Sequence, residues 1–176
     1  YNLVIPNREI RNIVTNHILK MFKESVKEDG KTVGEFCDAL LKQNPEKVES
    51  IFTDYMKKTI SIRDTFVKKP TKENFYHGLL LGILGFKENW SVMSNRESGD
   101  GFSDILIRIE DEDVGIVIEV KYASDGNMEK ECENALQQIT DVRYTEALKQ
   151  EGIHKIIKYG IACYKKKCKV EMKIEG

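Results

Sequence analysis

Gly101-Phe102-Ser103-Asp104-Ile105, followed by Ile116-Val117-Ile118-Glu119-Val120-Lys121, is the stretch on which the reading of this chain turns. Side chains two apart on a β-strand share a face, so Glu119 and Lys121 point the same way with Val117, while Ile116, Ile118 and Val120 point the other way. Ile105, Ile107 and Ile109 alternate in the strand before it, and Glu110-Asp111-Glu112-Asp113 marks the tip between the two. Pairing the strands about that tip sets residue 104 opposite residue 119 or 120. An aspartate that follows a glycine turn is thereby brought beside a glutamate and a lysine.

Two carboxylates at 4 Å repel by roughly 4 kcal/mol at an effective dielectric of about 20. They coexist if one is protonated or if a cation lies between them. Ligands that are all oxygen favour Mg²⁺ or Mn²⁺ over zinc. A neighbouring lysine can orient water, stabilise developing phosphorane charge, or act as a base. Taken alone, a Glu-Val-Lys step reads more readily as a solvated strand face. Apolar residues on both sides of these charges point instead to a buried central strand, where an unpaired glutamate is costly.

Outward from this stretch the pattern is mixed. Trp90 to Ser94 is a candidate strand and Val114 to Tyr122 a longer one; a helix is expected from about Met128 to Gln150, then strands over Ile156 to Tyr164 and Lys169 to Ile174. Before them, Thr71 is a candidate cap for a helix whose run from Phe75 to Leu84 is mostly apolar and which Gly85 follows. The expected fold is α/β: a helix, a three-stranded antiparallel meander, a helix and further strands over 71–176. Residues 1–70 are expected as a helical extension with three segments. Pro6 opens the first. Thr32 with Glu35 offers a capping box for the second, and Asn44-Pro45 opens the third.

The 176 residues suffice for one compact domain, or for a small domain with an extension. A net charge of -1 removes any general attraction to nucleic acid, so such contact needs a local patch. Lys165-Lys166-Lys167, with Lys155, Lys158 and Lys169, supplies one; a solvated turn is the equal alternative. Cys37, Cys132, Cys163 and Cys168 show neither zinc nor redox spacing, which is the pattern of a reduced, cytoplasmic protein. No apolar run is long enough to cross a bilayer. Tyr1 is not a natural start, so an upstream domain is expected. Gly78, Gly82 and Gly85 form no phosphate-cradling loop.

The Asp104 and Glu119-Val120-Lys121 pattern resembles the core motif of the PD-(D/E)xK nuclease superfamily. Ala135-Leu136-Gln137-Gln138-Ile139 with Arg143-Tyr144 resembles the helix of one branch, usually joined to an N-terminal AAA-like ATPase module in bacterial proteins. Ile5-Pro6-Asn7-Arg8-Glu9-Ile10 is similar to the segment joining the modules there, and Lys158-Tyr159-Gly160-Ile161-Ala162 to a later core strand. The resemblance implies a restriction-endonuclease-like core with Mg²⁺ or Mn²⁺ as cofactor. Asp104 and Glu119 would bind the metal, Lys121 would serve the attacking water, and Gln138 would lie near the site. Glu73 matches a further acidic position. Tyr144 and Lys165, Lys166 and Lys167 are candidate nucleic-acid contacts. Implied partners are nucleic acid (DNA first), an upstream AAA-like ATPase domain and a second copy of the chain, with no membrane. Ser103 departs from the motif's proline, and Phe102 stands where the branch commonly has arginine. The alternative is a non-catalytic binding or interaction module that keeps the fold. His77, His17, His154, Asp100 and Glu97 read as ordinary helix, surface or turn residues.

Overall fold

The computed structural model describes residues 30–59, 69–85, 87, 89–94, 105–109, 112–141 and 144–175. The segment 6–22, the Glu110-Asp111 part of the tip, and Glu97, Asp100, Phe102, Ser103 and Asp104 lie outside them.

Five strands form one sheet in the order β1-β2-β3-β4-β5. They are β1 (Trp90–Ser94), β2 (Ile105–Ile109), β3 (Val114–Tyr122), β4 (Lys155–Tyr164) and β5 (Lys167–Glu175). The first three make an antiparallel meander, β3 and β4 are parallel, and β4 and β5 are again antiparallel. A parallel pair needs a crossover. Here it is helical, and it leaves β3 as the central strand with Gly115 to Val120 buried. This mixed α/β architecture is the one expected of a restriction-endonuclease-like core.

Helices cover both faces. On one face lie α1 (Gly30–Leu41), α2 (Pro45–Thr59) and α3 (Lys69–Leu84). They share one hydrophobic cluster with Ile107, Ile116, Ile118, Val120 and Ile161 of the sheet. On the other face, α4 (Met128–Asp141) and α5 (Tyr144–Gln150) close a smaller cluster that includes Val117, Leu136, Ile139 and Ile156. The alternation along β3 therefore divides as its sequence requires, with Val117 under α4 and its neighbours under α3.

The helix ends depart from the sequence in three places. Asn44 caps α2 as expected, its Oδ1 accepting from Lys47 N at 2.9 Å. Thr32 and Thr71 are not caps, because α1 and α3 begin two residues earlier, at Gly30 and Lys69. The helix expected over 128–150 is two helices. Thr140 Oγ1 donates to Leu136 O at 3.1 Å near the end of α4, a back-bonding pattern that bends helices. Neither glycine nor proline announces that break.

Two glycines set how the crossover packs. Gly152 (φ 86) ends α5 with Gly152 N bonded to Lys149 O and Ile153 N to Leu148 O, the paired bonds of a left-handed helix stop. Gly160 faces α4, and a Cβ there would stand 2.6 Å from Cys132 O and 3.0 Å from Leu136 Cγ. At the far edge, the buried Lys158 ammonium lies 2.5 Å from Glu175 Oε2, and Lys149 also pairs with Glu175. Hydrogen bonds from Lys149 and then Lys158 hold the Glu175 carboxyl below its ordinary value of 4.5. Among the described residues no helix is long and apolar enough to cross a membrane.

Gly160→Ala should push α4 off the sheet and lower the unfolding free energy by about 1–3 kcal/mol, read as a reduced urea midpoint. Glu175→Gln leaves Lys158 without its charged partner and should cost about 1–2 kcal/mol at pH 7. The native carboxyl has the depressed pKa, so its contribution is present above pH 4.5 and fades as pH falls through the folded value. The gap between wild type and Glu175→Gln should therefore narrow in acid.

Candidate active site at the end of the central strand

Glu119 and Lys121 extend from the last third of β3 toward α4. Burial of this part of the strand leaves the Glu119 side chain 1% exposed and that of Lys121 18%. Lys121 Nζ lies 2.7 Å from Glu119 Oε1 and donates to Gln138 Oε1 of α4 at 2.5 Å. The Glu119 contact is an ion pair without the angles of a hydrogen bond. Among the described residues neither carboxylate oxygen of Glu119 accepts one. Buried polar atoms are nearly always satisfied, so this carboxylate stands out.

The close approach of α4 at Gly160 explains how Gln138 reaches Lys121. Gly160 is the Cα partner of Glu119 on β4, and its missing side chain is the space that the first turns of α4 occupy. A glycine inside a buried strand is the usual mark of such an approach. Lys158-Tyr159-Gly160-Ile161-Ala162 carries that signal in the sequence.

Asp104 lies outside the described residues. The pairing of β2 with β3 runs to Ile105↔Ile118, the immediate chain neighbours of Asp104 and Glu119. Glu73, in the first turns of α3, accepts from Tyr122 N at 3.2 Å through Oε1, at the residue that follows Lys121. Tyr144 begins α5. His77 is buried in α3 with Nε2 at 3.4 Å from Ser94 Oγ of β1. His154 is a surface residue paired with Asp113 at the opposite end of β3. His17 is not among the described residues.

The basic stretch near the C-terminus divides. Lys158 is buried against Glu175, and Lys169 lies 3.4 Å from Glu49 Oε2, so both are held within the fold. Lys155 starts β4, at the other end of the strand from Lys165 and Lys166, which form its turn into β5. The single patch expected of six lysines is therefore reduced to Lys165, Lys166 and Lys167. Sequence could not reveal this, because the partners Glu49 and Glu175 are set by tertiary packing.

Thiol chemistry is disfavoured. All four cysteines are free and buried, and burial pushes Cys37 up to about 11 and Cys132 and Cys168 up to about 12. Among the described residues no three His, Cys, Asp or Glu side chains converge as a metal cage. The Glu119 carboxyl nevertheless has the character of one ligand to a hard cation: it offers oxygen, is buried, and among the described residues accepts no hydrogen bond.

No curated protein and no solved structure matches the chain. A protein-family model for the PD-(D/E)XK nuclease superfamily matches residues 71–173, which contain the whole sheet to Lys173 and the Glu119–Lys121–Gln138 cluster. That match spans more than half of the sequence, and the chain belongs to the PD-(D/E)XK nuclease superfamily.

Proposed function

We propose that residues 71–176 are a metal-dependent nuclease unit that hydrolyses phosphodiester bonds, in DNA first, with residues 1–70 as its helical extension. The observation that carries the reading is the Glu119 carboxylate, buried with no hydrogen-bond donor among the described residues and set beside a lysine that Gln138 holds in place. Lys121 offsets the buried charge, yet among the described residues the carboxylate oxygens accept no hydrogen bond, which leaves them available to a hard cation.

In this proposal Asp104 and Glu119 hold a divalent cation, Mg²⁺ or Mn²⁺, with Glu73 as a third carboxylate near the end of β3. Such a cation, when bound, polarises the scissile phosphoryl group and acidifies a water. Lys121 is the cationic group of the site and lies where it can orient the attacking water or meet the charge developing on phosphate oxygens. Gln138 is the positioning residue: its carbonyl accepts one ammonium hydrogen and limits the rotamers of the lysine. Tyr144 and the Lys165–Lys167 turn are proposed contacts to nucleic acid.

The AAA-like ATPase module is proposed as an upstream partner in the same chain, in a cytoplasmic bacterial protein, and a second copy as a partner for cutting both strands. The resemblance of Ile5 to Ile10 and of the Gln138 helix to that branch supports the first of these. A net charge of -1 and Phe102 in place of arginine favour the rival reading, a non-catalytic module that binds nucleic acid or the ATPase.

Incubation with supercoiled plasmid and with single-stranded DNA, in Mg²⁺, Mn²⁺ or EDTA, separates the two. Cleavage that needs metal and falls at least about a hundredfold in both Glu119→Ala and Lys121→Ala is expected. An inert wild type that also fails to bind Mn²⁺ would favour the rival.

A further inference from the structure

The β4–β5 turn lies at the same end of the sheet as Glu119 and Lys121. Tyr122 is the residue after Lys121 and the Cα partner of Cys163, whose next neighbour is Tyr164. The rings of Tyr122 and Tyr164 lie 6.2 Å apart, and Tyr122 stacks on the buried Tyr76 at 6.1 Å. Lysines attend both outer rings. Lys72 Nζ is 4.4 Å from the centre of the Tyr122 ring, and Lys165 Nζ is 4.9 Å from that of Tyr164. Tyr164 is only half-buried, and with Lys165, Lys166 and Lys167 it lines a concavity of about 330 Å³.

Charge distinguishes this turn from the rest of the basic hairpin. Lys158 and Lys169 are matched by glutamates, whereas among the described residues Lys165, Lys166 and Lys167 have no carboxylate within ion-pair distance. Lys165 also occupies a left-handed backbone conformation, with φ 54, at a two-residue turn position that glycine, asparagine or aspartate would fill more cheaply. Its carbonyl accepts from Tyr76 Oη at 2.6 Å, which ties the turn to the body of the fold. At this edge Lys165 and Lys167 are exposed, and Tyr164 and Lys166 are half-buried.

We propose that Tyr164 and Lys165–Lys167 form a binding site for unpaired nucleic acid, in which a base stacks on the Tyr164 ring while the lysines meet the flanking phosphates. Aromatic rings beside cationic side chains bind single strands with little sequence preference, since every base has a stacking face. Lys72 adds a further cation above Tyr122, on the side of α3. The choice of ligand rests on the nuclease reading, and the site would make a single-stranded end or flap the substrate class delivered to Lys121. Tyr164 is here a binding residue, distinct from the cluster that would carry the chemistry.

The test is binding of the whole chain to labelled oligonucleotides in EDTA, followed by fluorescence anisotropy, so that hydrolysis plays no part. Single-stranded DNA or RNA should bind more tightly than blunt duplex DNA of equal length. Tyr164→Ala should weaken single-strand binding by about fivefold to a hundredfold while Tyr164→Phe retains it. Lys167→Glu, at an exposed position, should weaken binding and flatten its salt dependence. Equal affinity for duplex and single strand, or single-strand affinity indifferent to both Tyr164→Ala and Lys167→Glu, would overturn the site. Metal-dependent cleavage by wild type is scored separately. Cleavage with those variants binding normally sinks this site alone, whereas the expected binding losses in a wild type that neither cleaves nor binds Mn²⁺ sink the nuclease reading and leave the site standing.

Discussion

A carboxylate 1% exposed in the middle strand of a sheet, whose close polar contact is a lysine two residues along, constrains everything around it. Burying a charge is expensive unless hydrogen bonds or a counter-charge offset the lost water. Lys121 provides the counter-charge, but it is itself shared with Gln138. The rest of the site is arranged to keep that lysine in place. β3 must be central, α4 must lie close, and the hydrophobic clusters on both faces must hold the strand in register. The face toward α3 is wholly apolar along Ile116, Ile118 and Val120, which leaves the charged residues a single direction to point.

The close approach of α4 is the second link. Gly160 opposite Glu119 removes a side chain where the helix backbone needs the space, and Leu136 and Ala135 pack over it. Gln138 is carried to Lys121 by that packing, not by any local preference of its own. On the far side, α3 ties the end of β3 through the Glu73 carboxylate on Tyr122 N, so the strand is held from both faces just beyond Lys121. A strand end fixed in this way is a suitable mount for groups that must keep their geometry while a substrate passes.

Much of this was legible in the sequence because it depends on local periodicity. The alternation from Val114 to Tyr122 marked β3 with its observed bounds, and pairing about the acidic tip gave the register now seen between Ile105 and Ile118. Asn44-Pro45 announced α2 for the same reason, since a cap acts within one turn. What was not legible rests on longer-range contact. Thr32 and Thr71 have the chemistry of caps, yet both helices begin two residues further back. The break between α4 and α5 has no glycine or proline to signal it. Lys158 and Lys169 looked like members of a basic patch until the fold brought Glu175 and Glu49 to them. Among the candidate site residues, Glu119, Lys121 and Gln138 lie together, while Asp104 falls outside the described residues.

The central claim is that Glu119 is buried as a ligand and not as part of the scaffold. The direct measurement is the unfolding free energy of wild type and Glu119→Gln, each in EDTA and in excess Mn²⁺. Lys121 keeps its bond to Gln138 and some contact with water, so removing the buried charge should leave the variant about 1 kcal/mol more stable in EDTA. Mn²⁺ at about a hundred times its dissociation constant should then stabilise the wild type by about 2.7 kcal/mol and the variant by much less, reversing the order. A variant that is less stable in EDTA, with both proteins responding alike to Mn²⁺, would show that Glu119 serves the fold, and the account of the site would fail.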